Sequence, residues 1–175
     1  MSWFSQLIKS TQILGASAIV ALILSSCTVQ PLNSTKPGAA LAPAALSNIE
    51  ILSVNNRVGQ QVRNQLIFAL NGGKEPLGAV HSLKLIVIAR KAAISVVTST
   101  KAPTAAQVTV STIYTLRQKT SGEIIATGTR QAIASYDRTN QSFANQRAEL
   151  DAENRAANEV AEQLRLLIAA TLANQ

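Results

Sequence analysis

The chain has 175 residues and a formal net charge of +7, and 47% of its residues are hydrophobic whereas only 3% are aromatic. This length is enough for one ordinary domain with its own core. The single cysteine excludes an internal disulfide framework, and the scarcity of aromatic side chains and of long basic runs argues against a nucleic-acid-binding protein.

Residues 1–26 have the order of an export signal. Lys9 precedes an apolar run at residues 13–24, which is shorter than the ~20 residues of a membrane span but fits the roughly 7–15 of a signal-peptide core. The tetrad Leu-Ser-Ser-Cys at residues 24–27 resembles the lipobox of bacterial lipoproteins. We therefore expect cleavage between Ser26 and Cys27, and lipidation of Cys27 with S-diacylglycerol and an N-acyl chain such as palmitate. A plain signal peptide, or a marginal anchor with a chance cysteine, is the alternative.

Residues 27–47 are predicted to form a flexible tether between the lipid and the folded part. The segment combines Pro31, Pro37, Gly38 and Pro43 with small residues and has little periodicity. Thr28 follows the cysteine, and the absence of Asp at this position favours sorting to the outer membrane.

Residues 48–175 are predicted to form a single α+β domain. It begins with a short strand at 48–54, after which Asn55 or Asn56 caps a helix that runs to about Leu70. The apolar residues of this helix recur at three- and four-residue spacing, and Asn71-Gly72-Gly73 supplies a left-handed stop.

Three strands and a long helix follow. The strands are predicted at 80–98, 106–119 and 123–135, and the helix at 142–173. The first of these strands is expected to have a bulge near Lys91 and, because residues 83–89 are almost uninterruptedly apolar, to be covered on both faces at its centre. The order β-α-β-β-β-α predicts a four-stranded mixed sheet with two helices packed on one face.

The sequence gives little sign of catalysis. His81 is the only histidine, and its position at the start of a strand favours a structural role. No second histidine completes a metal site, and the serines lack a histidine base in any recognisable motif. We therefore expect no catalytic residue, no metal and no cofactor other than the lipid on Cys27, and no enzymatic activity.

Two features could bind a partner. Polar residues expected on the outer face of the sheet form either an ordinary solvated surface or a docking surface with adaptable hydrogen bonds. Arg90, Lys91 and Lys101 lie around the turn between the second and third strands, where like charges in proximity suggest an anionic ligand. Solvated cations without a ligand are the alternative for this cluster. The polar set comprises Thr109, Ser111, Thr115, Arg117, Thr127, Thr129, Arg130 and Gln131.

The chain resembles the LptE family of outer-membrane lipopolysaccharide-assembly lipoproteins. The resemblance is carried by these pieces of the C-terminal half: residues 114–116 (Tyr-Thr-Leu), Gly122, residues 132–136 (Ala-Ile-Ala-Ser-Tyr), residues 143–144 (Phe-Ala), residues 148–149 (Ala-Glu) and residues 156–165 of the closing helix. The lipobox and the order of the elements agree with it.

The resemblance implies a non-enzymatic protein that plugs the LptD-type β-barrel and assists insertion of lipopolysaccharide into the outer leaflet. It implies an outer-membrane location, lipid-anchored and either facing the periplasm or inside the barrel lumen. Family members are described as binding lipopolysaccharide through basic residues, for which Arg90, Lys91 and Lys101 are our candidates. An envelope lipoprotein that binds a lipid alone, or serves another transport or secretion complex, remains the alternative.

Overall fold

The structure is a computed structural model that describes Leu46, residues 48–97 and residues 102–173. The described residues form a mixed sheet of strand order β1-β2-β3-β4, in which β1 is parallel to β2 and the other neighbours are antiparallel. Two helices complete the predicted β-α-β-β-β-α order, which confirms the α+β fold. The elements are β1 (Ile49–Ile51), α1 (Arg57–Asn71), β2 (His81–Val97), β3 (Ala102–Gln118), β4 (Ile124–Asp137) and α2 (Ser142–Ala173).

Helix α1 begins and ends where its capping residues require. The Oδ1 atom of Asn56 accepts a hydrogen bond of 2.6 Å from the backbone N–H of Gly59, which is the N-cap interaction that satisfies a free donor of the first turn. Gly72 follows the helix at φ 63°, in the left-handed region that glycine adopts without strain. Both predicted boundaries of this helix are confirmed.

The core lies between the sheet and the two helices. Helix α1 buries Val58, Val62, Leu66 and Leu70, and α2 buries an Ala-rich stripe. Small side chains on α2 let its backbone approach the sheet closely. The valines of β3, Val108 and Val110, then fill the space between the layers. The buried stripe of α2 consists of Ala152, Ala156, Ala157, Val160, Ala161, Leu164, Ile168 and Ala169.

The expectation that β2 is covered on both faces is wrong. Leu83, Leu85 and Val87 are buried, whereas Ile86 and Ile88, which alternate with them, are 48% and 44% exposed. Successive strand residues point to opposite faces, and both helices cover the same face, so the other face stays bare. The register irregularity of β2 lies between Ala93 and Val96 rather than at Lys91.

The domain has two distinct ends. At the Asn48 end, the backbone N–H of Val80 donates to the carbonyl of Asn48 at 3.0 Å, and the N–H of Lys119 donates to the carbonyl of Val80 at 2.8 Å. This end therefore gathers the start of β1, the loop at 72–80 and the β3–β4 turn. The opposite end, called the hairpin end because β2 and β3 are connected there, contains the pair of Ala105 with Asp137, the last residue of β4. Helix α2 begins a few residues after Asp137.

Candidate functional site

The bare face of the sheet carries most of the hydroxyl groups that the sequence placed there. In β3 and β4 the buried residues alternate with outward ones, and Thr115 lies opposite Thr127 while Ser111 lies opposite Gln131. The hydroxyl groups of Thr115 and Thr127 are 3.5 Å apart, and the latter also donates to the carbonyl of Tyr114 at 3.0 Å. These side chains form a polar row across two strands that is open to solvent.

Arg130 departs from the predicted outward set. Its register partner is Thr112, which is fully buried beneath the helices, so the alternation of the strand assigns Arg130 to the helix-covered face. Its guanidinium Nη1 donates to the carbonyl of Thr129 at 2.8 Å. The sequence did not reveal the inward position of Arg130, because residues 129–131 are all polar and both neighbours, Thr129 and Gln131, do lie on the bare face.

Isoleucines occupy the middle of the same bare face. Ile86 of β2 is the register partner of Ile113 in β3, and Ile133 of β4 lies opposite Thr109. Ile113 and Ile133 are 43% and 57% exposed. Contiguous exposed apolar surface with a polar rim marks interaction sites in soluble proteins. Sequence reasoning missed this patch because only the strand register brings the isoleucines together.

The three basic candidates do not form one cluster. Arg90 pairs with Thr109 in the outward row of the bare face, whereas Lys91 pairs with Val108 in the inward row. Adjacent strand residues necessarily point to opposite faces, so Arg90 and Lys91 are separated by the thickness of the sheet. Lys101 lies outside the described residues.

Lys91 instead joins an ion-pair network between the sheet and the helices. Its Nζ forms a salt bridge with Glu149 and lies 3.3 Å from Oε1 of Glu153. Glu153 also forms a salt bridge with Arg57 at the start of α1, and the hydroxyl of Tyr136 donates to Glu149 at 3.2 Å. The side chain of Glu153 is only 8% exposed, so these partners satisfy a carboxylate that burial alone would penalise.

The network shifts the pKa values of Glu149, Lys91 and Tyr136. The hydrogen bond with Lys91 lowers the pKa of the Glu149 carboxyl, and burial opposes that change. The same hydrogen bond raises the pKa of the Lys91 ammonium. Burial is the largest cause that raises the pKa of Tyr136, followed by the negative charge of Glu149. Lys91 therefore stays charged and engaged across the neutral pH range.

The described residues offer no group of three or more histidine, cysteine or acidic side chains that could hold a metal ion. His81 begins β2 with its Nδ1 buried and, among these residues, without a hydrogen-bond partner. Burial lowers the pKa of its imidazole. This environment suits the structural role that the sequence suggested.

The predicted processing site cannot be placed on the fold, since Ser26 and Cys27 lie outside the described residues. Across the part of the chain that the structure describes, no helix combines the length and apolar character needed to cross a bilayer.

Comparison with known proteins identifies the fold and the family. The model of the family described as "LptE: Lipopolysaccharide-assembly" matches residues 45–167. A lipoprotein from Caulobacter crescentus CB15 is similar with 25% identity and a TM-score of 0.64, over 76% of this chain and 96% of that one. No curated protein matches the chain.

Two further crystal structures share the fold at lower identity. The rare lipoprotein B from Shewanella oneidensis has 14% identity and a TM-score of 0.56, over 73% of this chain and 96% of that one. A minor lipoprotein from Acinetobacter baumannii has 16% identity and a TM-score of 0.50, over 70% of this chain and 88% of that one.

Proposed function

Because this chain belongs to the LptE family of lipopolysaccharide-assembly lipoproteins, whose model matches residues 45–167, we propose that it plugs an LptD-type β-barrel and promotes insertion of lipopolysaccharide into the outer leaflet. The family match is the observation that carries this proposal. As a member of this family the chain is an assembly factor and not an enzyme, and it uses no cofactor.

The bare sheet face supports docking in a barrel. The lumen-facing side chains of outer-membrane barrels are polar, and the Thr115–Thr127 row offers hydroxyl groups that can donate or accept hydrogen bonds. The Ile86–Ile113 pair adds an apolar centre to this rim. A polar rim around an apolar centre is the usual anatomy of a protein interface, so this face is the surface that we assign to the barrel.

Anchoring through Cys27 would keep the domain beside its partner. A lipid chain contributes about 0.8 kcal/mol per buried methylene, and two chains already give stable anchoring. Attachment to the same membrane raises the effective concentration of the two proteins without any new contact. Signal cleavage between Ser26 and Cys27, and acylation of Cys27, are parts of this proposal.

Of the three basic candidates for lipopolysaccharide binding, Arg90 is the one that the geometry favours. It lies on the bare face beside Thr109, and a guanidinium can bind a lipid A phosphate through two parallel hydrogen bonds. Lys91 would have to leave two carboxylates before it could bind a phosphate. Lys101 stays a candidate on the grounds of its charge and sequence position.

Purification of the native protein from detergent-solubilised outer membranes tests the central proposal. We expect a one-to-one complex with a large β-barrel protein, and mass spectrometry should find residue 27 as the acylated N-terminus. An Ile113→Asp variant tests the assigned surface. It should fold but no longer co-purify with the barrel protein, because a buried charge would disrupt the apolar centre of the interface. Recovery of a free monomer with an unmodified thiol would contradict both the plug and the anchor.

The alternative of a lipoprotein that binds a lipid alone has less support. The space between the sheet and the helices is filled by fully buried side chains, among them Leu66, Val110 and Leu164, and a lipid carrier needs a cavity there. The exposed isoleucines favour an apolar contact on the outside of the domain instead. An accessory role in another transport or secretion complex would appear in the same purification as a different partner.

A further inference from the structure

We propose that the Asn48 end of the domain is a membrane-facing surface that inserts Leu77 into an anionic phospholipid leaflet. The inference rests on the proposed anchor at Cys27 for its orientation, but it assigns a second, non-covalent membrane contact to the folded domain itself. It also fixes the direction of the molecule, with the hairpin end pointing away from that leaflet.

Leu77 is displayed by a loop whose two sides are fixed. On one side, the N–H groups of Gly72 and Gly73 donate to the carbonyls of Phe68 and Ile67 at 3.1 and 3.2 Å. On the other side, Val80 is hydrogen bonded to Asn48. Between them Leu77 is 106% exposed, so its whole side chain contacts solvent. Because the loop is held in this way, the apolar surface of Leu77 can be removed from water only if another molecule covers it.

The Asn48 end carries further exposed apolar side chains and several basic ones. Phe68, one turn before the end of α1, is 68% exposed, and Val80 is 44% exposed. The Lys119–Glu50 and Arg63–Glu75 salt bridges, each 2.6 Å, neutralise two cations of this end. Lys74, and Arg117 whose Nη1 donates to the carbonyl of Gly122 in the β3–β4 turn, have no salt bridge within the described residues, and neither does Glu123 of the same turn.

The excess of positive charge at the Asn48 end suits the negative surface of a leaflet that contains anionic lipids. An apolar tip within a basic rim is also the composition of surfaces that lie at the bilayer interface. Charge and hydrophobicity therefore favour the same occupant.

The path of the chain brings this end, and not the other, to the membrane. Leu46, two residues before Asn48, is packed in the core at 5% exposure, so the segment from Cys27 joins the domain at the same end as Leu77. Fewer than 20 residues separate Cys27 from Leu46, so an anchor at Cys27 holds the end where the chain enters the domain within about 65 Å of the leaflet. The hairpin end also exposes an aromatic residue, Phe143 at 68%, but the anchor does not join the domain there.

A unique tryptophan provides the test. The single tryptophan of the chain is Trp3, so a chain that begins at residue 28 has none, and it keeps every described core residue, all of which lie between Leu46 and Leu172. In this unlipidated chain we compare Leu77→Trp with Phe143→Trp, using vesicles of phosphatidylethanolamine and phosphatidylglycerol. We expect a blue shift of the Leu77→Trp fluorescence and its quenching by brominated lipid, since tryptophan favours the bilayer interface, and no response of the Phe143→Trp control.

Vesicle co-sedimentation measures how much Leu77 and Lys74 contribute to membrane binding. Leu77→Ser in the chain without tryptophan should weaken vesicle co-sedimentation about tenfold, the equivalent of withdrawing a leucine from the bilayer. Lys74→Glu should weaken it further at low salt and less at high salt. Equal binding to neutral phosphatidylcholine vesicles, an equal response of both tryptophan variants, or no response of either would overturn the inference.

Failure here is distinguishable from failure of the proposed function. If the indole of Leu77→Trp stays in water while the native protein still purifies with its barrel and its acylated Cys27, only the membrane contact of the loop is refuted. If the Leu77→Trp fluorescence changes only when the barrel protein is present, and does so equally with every lipid composition, Leu77 contacts the barrel. That result would likewise overturn the inference. An unmodified thiol at residue 27 would refute the proposed anchor, and a free monomer would refute the proposed plug, whatever the vesicles show.

Discussion

Replacement of Lys91 by methionine should destabilise the domain by removing the cation between two helix carboxylates. Methionine keeps an unbranched stem of similar length, so the change removes the ammonium and little packing. Glu149 and Glu153 then retain Tyr136 and Arg57 respectively as partners. The network would lose the connection that joins β2 to α2.

The magnitude follows from the exposure of each partner. Lys91 is 48% exposed and Glu149 29%, so solvent screening reduces that pair to about 0.5 kcal/mol. The Glu153 carboxylate is 8% exposed, and a hydrogen bond to such a charged group contributes about 1.5 kcal/mol. The total of about 2 kcal/mol corresponds to a fall in Tm of roughly 6–10 °C for a domain of this size.

Urea denaturation of the chain from residue 28, followed by far-UV circular dichroism, measures the loss. Lys84→Met is the matched control, because Lys84 lies on the bare face of the same strand and should change the free energy of unfolding by less than about 0.5 kcal/mol. Equal effects of the two substitutions would refute the view that the network fastens the helices to the sheet.

The same comparison at low pH tests the cause. The pKa of Glu149 is lowered from 4.5 in the folded state, so its contribution is present above its unfolded pKa and is lost as the pH falls through the lower, folded value. The difference between the wild type and Lys91→Met should therefore shrink below about pH 4.5. A difference that stays constant into that acidic range would show that packing and not charge explains the loss.

Three further substitutions test the fold and the assigned surfaces. Gly128→Ala should cost about 1–3 kcal/mol in a denaturation experiment, because an added Cβ would lie 3.0 Å from the hydroxyl of Tyr114, a side chain that is 4% exposed and packed in the core. Thr112→Val should raise the free energy of unfolding by about 1 kcal/mol, since the fully buried Thr112 hydroxyl has no partner among the described residues; a loss would indicate a hydrogen bond through water. Arg90→Glu should weaken lipopolysaccharide binding about tenfold with an unchanged Tm, whereas unaltered binding would remove Arg90 from the proposed site.

Lys91→Glu is a poor probe of lipopolysaccharide binding for a structural reason. It would place a third carboxylate beside Glu149 and Glu153, and the repulsion would lower the stability of the domain, so that a loss of binding could not be separated from a loss of folding. Arg90 separates the two questions because the strand places it on the other face. The sequence suggested one basic cluster, whereas in the fold Arg90 is a candidate for ligand binding and Lys91 belongs to the ion-pair network that connects β2 to α2.

Local signals determined the elements of this protein. The helix α1 was predictable because Asn56 and Gly72 act within one turn of its ends, and the strands were predictable because β-branched residues are concentrated between turn residues. The family resemblance in residues 114–165 led to the group whose model matches residues 45–167. Each of these signals lies in the residue types of single segments and requires no knowledge of which distant residues are in contact.

Only the tertiary structure decided which side of each strand is covered. The apolar run at residues 83–89 is compatible with a strand that is buried on one face or on two, and the choice depends on where both helices pack. That choice leaves Ile86 and Ile113 exposed, turns Arg130 towards the helices and separates Arg90 from Lys91. Strand partners and helix positions depend on contacts between residues far apart in sequence, and the local pattern of one segment does not contain them.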